Sequence, residues 1–180
     1  MVPKSIECKT CVRKFCLSNF NAVFASFTSF LSETSDYLSR REIIKILHDF
    51  LQDPFNQEIL KSHLNSLDSI KFVLNNLNDE KIGIQWEACI FFELYIRQEN
   101  FVTDSKVLKV LKKNKTGLLT VFLSIRKAKE RMVHQEENEE ETALLERCIQ
   151  YAKKLWAKSQ FYIMKYKLTQ KKTSRKMLSK

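Results

Sequence analysis

The stretch IGIQWEACIFFELYI, residues 82–96, is apolar on nearly every side when it is drawn as a helix. At about 100° per residue its polar members Gln85, Glu87 and Glu93 point in three different directions, so no continuous polar face remains. A helix of this kind must be covered by neighbours on more than one side. The stretch therefore predicts an inner helix of a helical assembly, in which Trp86 is buried.

The composition favours an all-α fold. The 180 residues include only two glycines and two prolines, which β-rich folds use freely in their turns. The sequence lacks a glycine-rich loop for binding phosphates or a dinucleotide. No apolar run reaches the roughly 18–20 residues of a membrane span, and the N-terminus lacks the apolar core of a signal peptide. We therefore expect a cytoplasmic protein without a membrane span.

The predicted helices recur at a regular spacing. Apolar residues at helical intervals predict long and short helices in alternation, at residues 38–52, 57–64, 68–77, 83–97, 107–111 and 115–130. An earlier helix holds Phe20 to Leu31, and a last one begins near Thr142. The repeating unit of about 40–45 residues is typical of armadillo or HEAT repeats, in which neighbours stack to bury each other's apolar faces. The predicted fold is thus an armadillo- or HEAT-like α-solenoid.

The charge is unevenly distributed along the chain. Ten of the 31 Lys and Arg residues lie in residues 153–180, which contain no acid, so the remaining 21 balance the 21 acids of the preceding part. This distribution predicts a leader or N-terminal cap at residues 1–18, a helical-repeat domain at 19–156 and a basic tail at 157–180. Aromatic residues alternate with lysines in the tail. That composition suits stacking on bases and binding of phosphates, and it equally suits a helix that continues onto the body.

The sequence offers no catalytic constellation. The histidines His48, His63 and His134 lie on separate segments, and no motif ties any of them to a nucleophile. We therefore predict a protein that is not an enzyme and that holds no cofactor.

The five cysteines, in a chain without a secretion signal, indicate reduced thiols. Cys8, Cys11 and Cys16 have part of the spacing of a zinc site, but a fourth nearby ligand is missing and their role stays open. Cys89 and Cys148 lie among apolar residues and are predicted to fill the core.

Two cations of the helix at 38–52 occupy positions that local physics does not favour. Ser39 and Glu42 fit a capping box, which would place Arg41 in the first turn, where the helix dipole disfavours cations. Arg41 and Lys45 are also four residues apart on the polar face, where like charges repel by about 0.2–0.5 kcal/mol. Replacing Arg41 is therefore expected to leave folding unharmed or slightly improved. Either these cations meet a partner's carboxylate, or the surface is ordinary and the helix starts earlier.

Two segments resemble the calcium-binding protein 39 family, which is a family of kinase scaffolds built of armadillo-like repeats. They are SDYLSRREIIKILHDFL at residues 35–51 and IQWEACIFFELYI at residues 84–96. The family pattern of Tyr-x-x-Lys/Arg-Arg, followed by Ile-Gln-aromatic-Glu-Ala, is similar to residues 37–41 and 84–88 here. Asn19-Phe20 and Lys113-Asn114 match as well. The resemblance covers about residues 19–155 and corresponds to the C-terminal half of the family.

The resemblance implies a binding function. The family binds pseudokinases and sterile-twenty/germinal-centre kinases, and one of its sites is a pocket for a partner's Trp-Glu-Phe tail. The resemblance places Arg41, Lys45, Leu74 and Lys113 at that pocket. In this arrangement the basic residues would meet carboxylates and Leu74 would line the space for an aromatic ring.

The chain also departs from the family. The family is nearly twice as long, which implies a solenoid truncated on its N-terminal side, with residues 1–17 covering the exposed repeat. Pro54 and Gln57 stand where the family has an arginine and a phenylalanine that contact the kinase. Peptide capture is therefore expected, whereas the identity of the kinase and its activation stay open. The alternative function is a helical-repeat module whose basic tail binds RNA, a ribosome or another anionic partner.

Deletion of residues 157–180 tests the assignment of the tail. Because this segment is lysine-rich and lies outside the repeat pattern, its removal should leave the thermal unfolding transition nearly unchanged. It should also abolish any nucleic-acid binding that weakens steeply with salt. Loss of cooperative unfolding, measured by circular dichroism, would show instead that the aromatic residues of the tail belong to the core.

Overall fold

The computed structural model describes residues 4–33, 36–132, 139–155 and 157. Within these residues, all regular structure is helical and comprises nine α-helices. They are α1 (Lys4–Ser18), α2 (Phe20–Glu33), α3 (Tyr37–Gln52), α4 (Gln57–Leu64), α5 (Leu67–Leu77), α6 (Ile82–Arg97), α7 (Ser105–Lys113), α8 (Lys115–Met132) and α9 (139–155). Two 3₁₀ turns, Pro54–Asn56 and Glu99–Phe101, precede α4 and α7.

The order of helix lengths repeats along the chain. Helices α3, α4 and α5 have 16, 8 and 11 residues, and α6, α7 and α8 have 16, 9 and 18. The predicted all-α helical repeat of armadillo type is therefore confirmed. None of the helices in the described ranges is long and apolar enough to cross a membrane.

Helix α6 is the inner helix of the assembly. It packs against α3 and α5 and also contacts α8. The ring of Phe92 contacts Tyr151 of α9, with ring centroids 6.0 Å apart. Ten of the 16 residues of α6 are buried, and Trp86 is only 7% exposed. The predicted enclosure of this helix, with Trp86 inside, is thus confirmed.

Helix α3 begins earlier than the capping box predicts. Asp36, not Ser39, is the N-cap residue, and its carboxylate accepts a hydrogen bond from the Ser39 backbone N–H at 2.8 Å. Hydrogen bonding to the Ser39 side chain and, second, to its backbone N–H lowers the pKa of Asp36. The earlier start adds Tyr37 to the helix, where its ring packs against the core beside α6. The capping box of Ser39 and Glu42 is therefore wrong, because an acid three residues upstream already caps the helix.

The first 18 residues contain a helix that the sequence reasoning did not specify. Helix α1 packs against α2 and α4. Its cations reach the following elements, with Arg13 paired to Glu58 and Lys9 lying 3.6 Å from Asp53. The division of the chain into a cap, a repeat domain and a tail remains a prediction, since residues 158–180 of the tail lie outside the described residues. His134 lies outside them as well.

Gly83 lies where α6 approaches α3 closely. A Cβ atom at this position would lie 1.9 Å from the Tyr37 hydroxyl oxygen and 3.0 Å from its ring carbon Cζ. Gly117, near the start of α8, has no such neighbour within 4 Å. The two glycines therefore differ, because only Gly83 is required by packing.

A matched pair of substitutions tests this difference. Gly117→Ala should raise the free energy of unfolding by about 0.5–1 kcal/mol, since alanine favours a helix over glycine. Gly83→Ala should lower it by about 1 kcal/mol, because the Tyr37 ring must move. Tyr37→Phe, which removes the clashing oxygen, should recover part of that loss. Urea unfolding of the wild type, the two alanine variants and the Gly83→Ala, Tyr37→Phe double variant gives the result, and equal stabilisation by both alanines would contradict it.

Candidate functional site

Helix α3 presents Arg41 and Lys45 one turn apart, on the same side of the helix. The Arg41 Nε–H donates a hydrogen bond to Glu87 Oε1 of α6 at 2.7 Å. The Glu87 side chain is only 5% exposed, whereas that of Arg41 is 37% exposed. This hydrogen bond raises the pKa of Arg41. Arg41 thus neutralises a buried carboxylate and still reaches the surface.

Both arginines at the start of α3 have carboxylate partners within the chain. Arg40 pairs with Asp79, in the turn before α6, and Arg41 pairs with Glu87. Because α3 starts at Tyr37, both arginines lie at the end of its first turn or beyond it, where the helix dipole opposes cations less, and each has a carboxylate partner. The expectation that Arg41 can be replaced without harm to folding is therefore revised, because its removal would strand a buried charge.

Lys45 and Lys113 differ from the arginines in having no ion-pair partner among the described residues. Lys45 is half-buried on α3, and Lys113 is the exposed last residue of α7. A half-buried lysine packs its apolar stem and keeps its ammonium group toward solvent, so Lys45 and Lys113 are both suited to an added anion.

Leu74 lies on α5, half-buried and packed against the hydrophobic core. Helix α5 packs against α6, whose Glu87 binds Arg41, and against α7, which ends in Lys113. The structure therefore brings Arg41 and Lys45 together on α3. It holds Leu74 and Lys113 on two neighbouring helices, and no hydrogen bond or ion pair in the described part of the chain joins them to the α3 pair.

Two functional carboxylates were missed by the sequence reasoning, which assigned most acids to helix surfaces. Glu87 and Glu93 are both buried in α6. Glu93 accepts a hydrogen bond from Arg147 Nε of α9 at 2.5 Å and lies 3.1 Å from Arg97 Nη2. Their position in a helix without a polar face could have predicted that both acids are buried and paired, since a buried carboxylate requires a cation.

His63 gives no indication of catalysis. Its ring is fully buried against Phe24 and Phe91, with centroids 5.1 and 5.2 Å away. Neither ring nitrogen has a hydrogen-bond partner among the described residues. Burial lowers the pKa of His63 to about 3, so its ring is neutral at pH 7.

The cysteines fall into two groups. Cys89 and Cys148 are fully buried with their sulfur atoms 3.7 Å apart, which confirms them as core residues. The contact with Cys148 raises the pKa of Cys89. Cys8 and Cys11 are exposed on α1 and Cys16 is half-buried, and the residues that the structure describes contain no cluster of three or more potential metal ligands.

Comparison with known proteins gives the family. The family model described as Mo25-like matches residues 6–152, most of the chain. The chain belongs to the Mo25-like family. This Mo25-like chain is 31% identical over 122 residues to a putative MO25-like protein of Arabidopsis thaliana, covering 68% of the chain and 35% of that protein. It is 26% identical over 112 residues to a Mo25-like protein of Schizosaccharomyces pombe, covering 62% and 33%.

A third relative carries the family name that the two sequence segments predict. The Mo25-like chain is 24% identical over 119 residues to a calcium-binding protein 39-like protein of Homo sapiens, covering 66% of the chain and 34% of that protein. The predicted resemblance is therefore confirmed. The chain spans about a third of the length of these curated relatives.

The Arg41–Glu87 pair generates a prediction about folding. Removing one partner of a fully buried ion pair costs about 3–5 kcal/mol, and solvent access to Arg41 reduces this to about 1–3 kcal/mol. Arg41→Ala should lower the free energy of unfolding by that amount, measured with urea. In a Glu87→Gln background the same substitution should cost less than about 1 kcal/mol, because no charge is left unpaired. Lys45→Ala serves as the control on the same face and should change stability little.

Proposed function

We propose that this Mo25-like chain is a non-catalytic cytoplasmic scaffold that captures the C-terminal tail of a protein kinase or pseudokinase. The partner would be of the sterile-twenty/germinal-centre type, with a tail that ends in Trp-Glu-Phe, as the family resemblance implies. The observation that supports the proposal most is the contrast among the cations. Arg41 has a carboxylate of its own, whereas Lys45 and Lys113 have no described partner.

Arg41 is suited to hold a peptide carboxylate. A guanidinium group has five N–H donors in a planar fork, and the hydrogen bond to Glu87 uses the Nε–H. Glu87 therefore fixes the orientation of the group while the outer nitrogens are left for a second carboxylate. Such charge-assisted hydrogen bonds are stronger than those between neutral groups.

The remaining residues would supply further charge and an apolar contact. Lys45 and Lys113 would neutralise the glutamate of the tail and its terminal carboxylate. Leu74 would line the space for one aromatic ring, since half of its side chain is already packed against the core. This division of roles is typical of peptide recognition, in which anchoring rings enter pockets and charges set the orientation.

Peptide capture is the part of the family function that we propose for this chain. Pro54 and Gln57, which replace the kinase-contacting arginine and phenylalanine, are both exposed. A proline and an amide cannot reproduce the charged and aromatic contacts of those two residues. Regulation of the kinase would then depend on surfaces other than these two positions.

Calorimetry with a synthetic peptide ending in Trp-Glu-Phe tests the proposal. A charged hydrogen bond contributes about 1.5–3 kcal/mol, so Lys113→Glu should weaken binding by about tenfold or more. Lys109→Glu, an exposed lysine on the same helix, is the matched control and should bind almost as tightly as the wild type. Lysines are preferable to Arg41 here, because replacing Arg41 also perturbs the fold.

Changes in the peptide and in Leu74 complete the test. Amidation removes the terminal carboxylate of the peptide and should weaken its binding to the wild type. The loss should be smaller in the variant, Lys113→Glu or Lys45→Ala, that lacks the lysine meeting that carboxylate. Leu74→Asp should abolish binding because it places a charge against an aromatic ring. Equal affinity of the wild type and of both lysine variants would refute the site.

A further inference from the structure

Helix α2, like α6, has no face made up of charged residues. Residues 20–32 contain no Asp, Glu, Lys or Arg, and include four phenylalanines. Of these side chains, Phe24 and Leu31 are buried. The outward positions Ala22, Ala25 and Ser26 are small, uncharged and exposed. A helix surface that faces only water normally carries charged residues, so this face is suited to contact with another protein surface.

An apolar groove of about 570 Å³ runs along this face of α2. Eight residues line it, and none of these is charged. The lining comprises Phe15 of α1, Asn19 of the turn between α1 and α2, Ala22, Val23, Ser26, Phe27 and Phe30 of α2, and Ile43 of α3. The groove is open to solvent, and its apolar floor is wide enough to receive large side chains of another molecule.

Two exposed aromatic side chains, Phe15 and Phe30, line the same groove. Among the described residues, the large hydrophobic side chains that are exposed all lie on α1, α2 or α3. They are Val12, Phe15, Phe30, Leu38 and Ile46. Phe15 is 61% exposed although it lines the groove, so its ring projects from the wall. Contiguous apolar surface of several hundred Å² on a folded protein marks an interaction site.

We propose that this face, comprising the groove and the outward side of α2, packs against the same face of a second copy of the chain. A two-fold interface requires one patch to be complementary to itself. This patch meets that requirement, because it carries both a projecting ring, Phe15, and a groove that can accept one. Phe15 of each copy would enter the groove of the other between Val23 and Ile43.

Charge and residue size favour the same arrangement. Two copies can bring their α2 helices together without repulsion, because residues 20–32 carry no charge. Ala22, Ala25 and Ser26 on the outward side allow the two α2 backbones to approach closely, as small residues do at helix crossings.

The available area fits a dimer of moderate affinity. Helix α2 has 14 residues and is therefore about 21 Å long. Three neighbouring helices spaced by about 8–10 Å give a face on the order of 500 Å² per copy. Specific interfaces bury about 800 Å² per partner at standard size, so this one lies at the small end. We expect a dissociation constant in the micromolar range rather than the nanomolar range.

Sedimentation velocity of the full chain tests the proposal, over concentrations from about 2 to 200 µM that span this affinity range. The wild type should shift from monomer to dimer. Phe15→Asp and Ala22→Glu should each weaken the dimer by at least about tenfold, because each buries a charge in the interface. Leu38→Asp is the matched control. Leu38 is 67% exposed but does not line the groove, so this variant should dimerise like the wild type.

The salt dependence adds an independent readout. A dimer held by apolar contacts should persist or strengthen at about 0.5 M NaCl, because salt screens the repulsion between two cationic chains. Circular dichroism should show equal helicity for all variants, since the three substituted side chains are exposed. A wild type that stays monomeric at about 200 µM would overturn the proposal. So would a dimer that Ala22→Glu leaves intact, or one that Leu38→Asp weakens as much as Phe15→Asp does.

Discussion

The rest of the structure depends on the neutralisation of two buried carboxylates in α6. Glu87 and Glu93 lie in a helix enclosed by its neighbours, where an unpaired charge would cost several kcal/mol. Each therefore needs a cation, and each receives one from a neighbouring helix. Arg41 of α3 meets Glu87, and Arg147 of α9 meets Glu93. Because the two acids face different directions, these pairs set which side of α6 each neighbouring helix occupies, while apolar contacts supply most of the packing energy.

The pair between Arg41 and Glu87 also connects the fold with the proposed site. The guanidinium group that would bind a peptide is the same group that neutralises the core, so peptide binding and the packing of α3 on α6 share one side chain. Lys45 and Lys113 form no comparable ion pair among the described residues. Lys45 and Lys113 can therefore be substituted to test binding, whereas substitution of Arg41 also changes stability.

Helices α2 and α6 show how two helices with few charges come to lie in different surroundings. Helix α6 lacks a continuous polar face, and residues 20–32 of α2 carry no charge. Helix α6 is covered by α3, α5, α8 and α9, and its two buried carboxylates are paired with arginines of the chain. Helix α2 is covered on the side of Phe24 and Leu31, and its other side borders an open apolar groove. In a helical repeat each apolar face is buried by stacking, which is why the uncovered side of α2 calls for a further surface.

The sequence by itself determined the helices from α2 onward, their alternation of length and the family, because apolar periodicity and short motifs are local properties of the chain. It also indicated that α6 is enclosed, since a helix without a polar face has no other stable environment. The start of α3 at Asp36 was mistaken because Ser39 and Glu42 offered a second plausible cap. Only the tertiary structure decided the partner of Arg41, since Glu87 lies 46 residues further along the chain. Pairs that form across such separations depend on how whole helices pack, and periodicity along one helix carries no information about which cation will face which acid.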